Sequence, residues 1–496
     1  MNTTITKLNE KQDIFVNSIL NLLKNNTSGL YILNAPAGTG KTACLKYIQQ
    51  QTNNKFRCLA PTHKAASLLP NGKTIHGVLG KLMYHSDGNR LWFSIRKCGI
   101  CEKRFEDNVE LSVRITHFEN CKLSLDYENA KQWMFMDECS MIDAPMLNEL
   151  VDLSKTSLII LMGDSYQLPP IGSYVSPVFT MTNVINDKFE LTENMRQNNK
   201  ELAKIVGNFR VAVDTKHTYQ VQYTPLEELL GLYKGDDSVV LLNFTNAETN
   251  RLNTLIRMSL FDTPNGILES YYPGEKLMFS GYKSLTNENI YYDIWMKGRR
   301  TKHPSPPKMT PGVLGDYLKK TVCPFLNEGF GGLSYYTNDS FIVDSVELIT
   351  KSIDHFKCPH QVEKFSKCIE CKVPARRKHT IEITFYKITN QQGVVFYKVH
   401  ESSIGRFKTI LDTIKCYILS HDSKGRKALW SGFYLIKETL NSNLNYYYSL
   451  TTHKSQGSQW SNVIVNITNM RRAGSFNNER LIYTAVSRAT DNVYFI

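Results

Sequence analysis

Tyr31-Ile32-Leu33-Asn34-Ala35-Pro36-Ala37-Gly38-Thr39-Gly40-Lys41-Thr42 runs from an apolar stretch through small residues into Gly-Lys-Thr. Leu30 to Leu33 predict a buried strand and Thr42 to Gln51 a helix, so the glycines fall where a phosphate-binding loop belongs. With Gly38 and Gly40 leaving the backbone open, the loop residues Ala35, Gly38, Thr39 and Gly40 would cradle a polyphosphate, with backbone N–H groups pointing at it from the helix N-terminus. Lys41 then reaches the β- and γ-phosphates, and the Thr42 hydroxyl suits Mg²⁺. Ala35 stands where such loops usually carry a first glycine; it is small but lacks glycine's backbone freedom.

The chain has 496 residues, enough for several domains or subdomains, and a formal charge of +13 that suits a polyanionic partner. No apolar run approaches the ~18 residues of a membrane span, and Met1-Asn2-Thr3-Thr4 does not read as a signal peptide. An intracellular location is expected, with cytoplasm and nucleus not distinguished. In a reducing compartment the 11 cysteines point to metal binding or burial and not to disulfides.

Four further apolar runs end in polar groups. Arg57 to Ala60 leads into Pro61-Thr62-His63-Lys64, and the segment at His76 has the same character; Thr62, His63 and His76 are candidate ligand contacts at a strand end. Gln132 to Met136 delivers Asp137-Glu138, where the first acid can hold Mg²⁺ and the second can deprotonate a water. Ser157 to Met162 ends in Gly163-Asp164-Ser165-Tyr166-Gln167, whose Gln167 can sense a γ-phosphate, and Arg196 is a candidate transition-state cation. Val239 to Asn246 reads as a strand and turn before a helix over 247–260. Upstream, Gln12 carries an amide able to read an adenine edge.

Two clusters have zinc-ligand spacing. Cys98-x2-Cys101 with His117-x3-Cys121 would close a structural tetrahedron; Cys358 with Cys368-x2-Cys371 would need either His355 or His360 as fourth ligand.

The order of these segments resembles superfamily 1B helicases of the RecD/Dda/PIF type: Gln12, the loop at 35–42, Ala60-Pro61-Thr62-His63-Lys64-Ala65-Ala66, Thr74-Ile75-His76, Asp137-Glu138-Cys139-Ser140-Met141, and Gly-Asp-x-x-Gln-Leu-Pro-Pro. Tyr448 to Ser458 looks like the family's motif V and Tyr483-Thr484-Ala485-Val486-Ser487-Arg488 like motif VI. The resemblance implies an α/β fold of two RecA-like P-loop NTPase domains with inserted β-rich subdomains. The first RecA-like domain would take 1–80 and 128–197, interrupted by a pin-type insertion at 81–127 with a zinc site. The second would take 198–272 and 445–496, interrupted by a β-barrel-type insertion at 273–444. It further implies ATP and Mg²⁺ between the domains, with Gln456 and Gly457 facing the nucleotide and Arg488 as a finger. His453 and Ser455 would lie near the DNA track, and Trp92 or Phe93 would stack on bases. The implied activity is 5′→3′ movement on single-stranded DNA and unwinding of forked duplexes. An RNA-directed helicase, or a zinc-bearing nucleic-acid binding factor with a vestigial ATPase, are the alternatives; protein partners are not indicated.

Overall fold

The computed structural model describes residues 8–52, 56–75, 81–84, 90–93, 133–170, 172–193, 199–235, 238–281, 283–284, 334–335, 338–354, 380–419, 423–472 and 478–496, with isolated positions 314, 317, 318, 320, 321 and 325. It divides into two compact units, one of residues 1–262 with 448–496 and one of residues 263–447. Among the described residues no helix is long and apolar enough to cross a membrane.

The first unit begins with helix α1 (Glu10–Lys24), strand β1 (Gly29–Asn34), helix α2 (Lys41–Gln51), strand β2 (Phe56–Ala60), helix α3 (His63–Ser67) and strand β3 (Lys73–Thr74). A hairpin of β4 (Lys81–Tyr84) and β5 (Arg90–Phe93) follows, then β6 (Trp133–Met136), α4 (Ala144–Ser154), β7 (Leu158–Gly163) and β8 (Asp187–Glu190). Outside the hairpin the strands form one parallel sheet in the order β3-β2-β6-β7-β1-β8. Period-two alternation along β1 explains how both faces are covered. Leu30 and Ile32 pack with Met146, Leu147 and Leu150 of α4, whereas Tyr31 and Leu33 pack with Phe15 and Ile19 of α1 and Cys44, Leu45 and Ile48 of α2. Each fully buried aliphatic side chain of this kind contributes roughly 1.5–3 kcal/mol.

A second parallel sheet starts with α5 (Lys200–Thr215), β9 (Val239–Asn243) and α6 (Asn246–Leu260). The chain then forms the unit of residues 263–447, which holds β10 (Lys276–Phe279), β11 (Lys283–Ser284), β12 (Ser334–Tyr335), β13 (Ser340–Asp354), β14 (Thr380–Asn390), β15 (Val395–Val399), α7 (Ile404–Leu419), α8 (Ser423–Leu440) and β16 (Leu444–Tyr446). Its main sheet is antiparallel, ordered β15-β14-β13-β10-β16, and open at both edges among the described residues. The barrel-type expectation for 273–444 leaves out α7 and α8. Phe407, Ile410, Ile414 and Tyr417 recur at helical spacing and pack on Ile383, Phe385 and Tyr397 of the sheet, giving this unit an α-plus-β build. Strand β13 begins at Ser340, just after Asn338, which occupies a left-handed turn at φ 72°.

Back in the first unit, β17 (Ser449–Thr451), α9 (Thr452–Ser455), β18 (Trp460–Val465), α10 (Ile467–Arg472), α11 (Asn478–Val486) and β19 (Ala489–Phe495) complete the second sheet in the parallel order β17-β9-β18-β19. Both parallel sheets, each flanked by helices, have the RecA-like α/β build.

Candidate functional site

The carboxyl ends of β1, β2, β6 and β7 converge because register aligns them: Ile32 lies opposite Leu161, which lies opposite Met136. The loop after β1 owes its shape to two glycines, Gly38 at φ 85° and Gly40 at φ 90°, the latter capping α2. Ala35 is not among the residues with positive φ, so no glycine is required there; its N–H donates to the Gly163 carbonyl at 2.7 Å. The Lys41 ammonium donates to the loop's own carbonyls, Ala35 at 2.6 Å and Pro36 at 3.3 Å, and the Thr39 hydroxyl to Pro36 at 2.8 Å. Thr42 is half-buried in the first turn of α2.

Gln12 is buried and turned into the protein. Its amide nitrogen donates to the Thr39 carbonyl at 2.9 Å, and its amide oxygen accepts from the Asn9 N–H at 3.0 Å in a capping box that starts α1. In this arrangement the Gln12 amide fixes the loop, where the sequence suggested adenine reading. A Cβ on Gly40 would come within 2.4 Å of its nitrogen, so a side chain there would displace it.

Asp137 and Glu138 follow β6. The Asp137 N–H donates to Leu59 at 2.9 Å, its carboxylate accepts from the Glu138 N–H at 2.9 Å, and Glu138 sits left-handed at φ 54°, ψ 39°. A non-glycine residue held this way stores on the order of 1–3 kcal/mol, a strain found at sites where side-chain direction matters. Burial pushes the Glu138 carboxyl above its usual range; Arg488, 4.0 Å away, is the largest influence pulling it back, and Asp137 and Asp164 add to the rise.

Arg488 comes from the other sheet, at the end of α11. It is 4% exposed, and its Nε donates to the Thr484 carbonyl at 3.1 Å. Arg488 Nη2, Gln167 Oε1 and Gln456 Nε2 are among the buried polar atoms that have no hydrogen-bond partner among the described residues. Gln456 and Gly457 follow α9, and Gly457, at φ 79°, lies so close that a Cβ would come 3.3 Å from Ala65 of α3. Lysine, arginine, the free Gln456 amide nitrogen, the Gln167 amide oxygen, the Thr42 hydroxyl and a carboxylate pair are a set of groups that fits a triphosphate with Mg²⁺ and a water beside it.

Asp164 was quoted in the sequence but given no role. Its buried carboxylate accepts from the Ala37 N–H of the loop at 3.3 Å, the Tyr166 N–H at 3.0 Å and the Tyr483 hydroxyl of α11 at 2.7 Å. Nearby, the Thr484 hydroxyl accepts from the Leu168 N–H at 3.1 Å, and the Arg480 guanidinium donates to the Ser165 carbonyl. One carboxylate thus ties the phosphate loop to helix α11 beside the second parallel sheet. Tyr483→Phe should cost about 1.5–3 kcal/mol, the worth of a hydrogen bond to a charged group, read by denaturant unfolding. It should also raise KM for ATP more than it lowers kcat; unchanged stability and KM would deny the tie.

The remaining candidates are less concentrated. Thr62 caps α3 by accepting from the Ala65 N–H at 3.1 Å, and His63 beside it is exposed. His453 is exposed on α9, its ring 6.2 Å from that of Phe244, while the Ser455 hydroxyl is buried and donates to the Thr452 carbonyl at 2.7 Å. Trp92 and Phe93 lie in β5, paired with Leu82 and Lys81. His76, Arg196 and the zinc candidates Cys98, Cys101, His117, Cys121, His355, Cys358, His360, Cys368 and Cys371 lie outside the described residues. Among the described residues no group of three or more metal-type side chains could hold an ion. The described cysteines Cys44, Cys58, Cys139 and Cys416 are buried and in no disulfide.

A family model described as an AAA domain matches residues 7–221, and one described as a UvrD-like helicase C-terminal domain matches residues 446–496. The chain is 23% identical to an uncharacterized protein of Acanthamoeba polyphaga mimivirus, covering 98% of this chain and 99% of that one. It is 25% identical to the ATP-dependent DNA helicase dda of Enterobacteria phage T4, across 70% of this chain and 80% of that protein. Among solved structures, Pif1 helicase from Candida albicans aligns with 99% of this chain and 94% of its own at 17% identity and a TM-score of 0.46.

Proposed function

We propose that this chain is an ATP-dependent DNA helicase that moves 5′→3′ on single-stranded DNA and unwinds forked duplexes. The observation that carries this is the meeting of Glu138, from the first RecA-like sheet, with Arg488, from the second, 4.0 Å apart. A hydrolytic site built from both domains changes its contacts whenever one domain moves against the other, which is how turnover becomes motion. The phage helicase relative and the UvrD-like helicase match at the C-terminus support the same reading.

In this reading Lys41 and the loop of residues 35–40, through N–H groups such as those of Gly38 and Gly40, bind and orient the phosphates. Glu138 takes the proton of the attacking water, Gln167 orients that water, and Arg488 stabilises the charge that develops on the transferred group. Thr42 and Asp137 would hold Mg²⁺, whose chemistry is to neutralise phosphate charge. Gln456 and Gly457 complete the nucleotide side, and Arg196 is assigned as a second cation. Thr62, His63, His76, His453 and Ser455 are assigned to the side facing the strand.

The domain division proposed from the sequence goes with this reading: a pin at 81–127, supported by the β4–β5 hairpin, stiffened by zinc on Cys98, Cys101, His117 and Cys121. A second zinc at Cys358, Cys368 and Cys371 with His355 or His360 rests on ligand spacing alone. Replacing Cys98 and Cys101 by Ser should lower unwinding more than DNA-stimulated ATPase; equal losses would sink the pin assignment. Strand displacement on forks with a 5′ or a 3′ tail, with and without ATP, tests the main reading. ATP-dependent unwinding from the 5′ tail is expected, and its absence overturns the direction.

A further inference from the structure

The unit of residues 263–447 contains a cavity of about 370 Å³ that belongs to neither parallel sheet. Phe279 at the end of β10 and Lys398 of β15 line it from the sheet, and Tyr434, Lys437 and Asn441 from one face of α8 and its exit, at i, i+3 and i+7. Asn443 and Glu438 complete the polar rim. The volume falls in the range of small-ligand sites, about 300–1,000 Å³.

Charge is its unusual feature. Lys398 rises from the same strand face as Phe396, a fully buried core residue, and lies opposite Tyr386 in the sheet. Among the described residues no carboxylate lies within ion-pair distance of Lys398, and burial pushes its ammonium below the usual lysine range, with Glu401 the one opposing influence. Glu401 is already engaged: its carboxylate accepts from the Tyr386 hydroxyl at 2.8 Å and the Ser270 hydroxyl at 3.2 Å. Lys437 sits in the last turn of α8, where its charge also suits the helix dipole, so Lys398 is the cation that the fold by itself does not explain. At the mouth, Tyr434 is 50% exposed, with its ring held by Trp430 at 6.1 Å and Phe433 at 5.4 Å. The Asn441 oxygen accepts from the Val399 N–H at 3.3 Å, which leaves its amide N–H groups to donate elsewhere.

Against the single carboxylate of Glu438, a half-sheltered cation, a second one beside it, amides and a presented aromatic ring match a phosphate joined to a planar base. We propose that this cavity binds one nucleotide unit, its phosphate on Lys398 and Lys437 and its base against Tyr434, either as a residue of single-stranded DNA or as a free nucleotide. The first source rests on the helicase reading; the second does not. Such a contact would give the second unit its own hold on a strand, apart from the ATP cleft.

Photocrosslinking of the full chain with an oligo-dT carrying 5-iodouracil, and separately with 5-iodo-dUMP in a Lys41→Ala background, tests the site and its source. Adducts at Tyr434 with the oligonucleotide alone assign a strand residue, and adducts with both assign a nucleotide pocket. Lys398→Met, with the exposed Lys437→Gln as the variant that leaves the core untouched, should each weaken oligo-dT binding several-fold. Each should also lower the slope of log affinity against log salt by about 1. No adduct at Tyr434 with either probe, together with unchanged affinity and slope in both variants, overturns the proposal. Wild-type strand displacement measured alongside judges the helicase reading separately.

Discussion

Glu138→Gln should leave ATP binding intact while lowering DNA-stimulated turnover by about 10²–10⁴-fold, the usual contribution of a positioned general base. The amide is isosteric, so the left-handed backbone at φ 54° and the packing beside Cys139 need not change. What is lost is the ability to accept a proton. Burial raises the carboxyl's pKa above its ordinary value, and a base must be ionised to act. Activity of the wild-type protein should therefore fall as pH drops through a value above the ~4.3 of a free glutamate, and the acid limb should vanish with the residual activity of the variant. ATP titrations by fluorescent analogue and steady-state turnover check both halves. Turnover within twofold of wild type would remove Glu138 from the chemistry.

Much of this site was legible because phosphate chemistry leaves local marks. Gly38, Gly40 and Lys41 fall within four consecutive positions, and Asp137-Glu138 follows an apolar run that reads as an interior strand. Asp164 was not legible as a tie. Its meaning lies in a bond to Tyr483 across 319 positions, and the aspartate in Gly-Asp-x-x-Gln looks locally like an ordinary turn residue. Gln12 carries a second local pattern that the nucleotide reading passed over: a capping box with Asn9 uses the same amide. Helix α7 is marked by the spacing of Phe407, Ile410 and Ile414 and α8 by that of Leu429, Phe433, Ile436 and Leu440, a period that the barrel-type expectation for this region leaves out. Ala35 stood out only because a glycine is usual there; a φ outside the left-handed region makes alanine sufficient.

Arg488→Ala should have the larger effect, approaching the 10³–10⁵-fold loss in turnover seen when a transition-state arginine is removed. Two physical consequences are mixed in that variant. Removing one partner of a buried ion pair costs about 3–5 kcal/mol where the pair is tight; at 4.0 Å, with the Glu138 side chain 15% exposed, the cost here should lie below that range. Arg488→Lys separates them. It keeps a positive charge but loses the planar fork, including the Nε donor to Thr484 and the Nη2 donor that has no protein partner. Stability should be largely retained while turnover stays low. The alanine variant also deprives Glu138 of its largest favourable charge, so the carboxyl's pKa must rise further. Its ionised fraction then falls at any given pH, and the acid limb moves upward. The alanine variant should accordingly lose proportionally more activity at pH 6 than at pH 8, whereas the lysine variant should stay closer to the wild-type profile. A loss equal at both pH values in the alanine variant would mean that Arg488 does not set the protonation of Glu138, and would leave it only the role of a cation toward the phosphate.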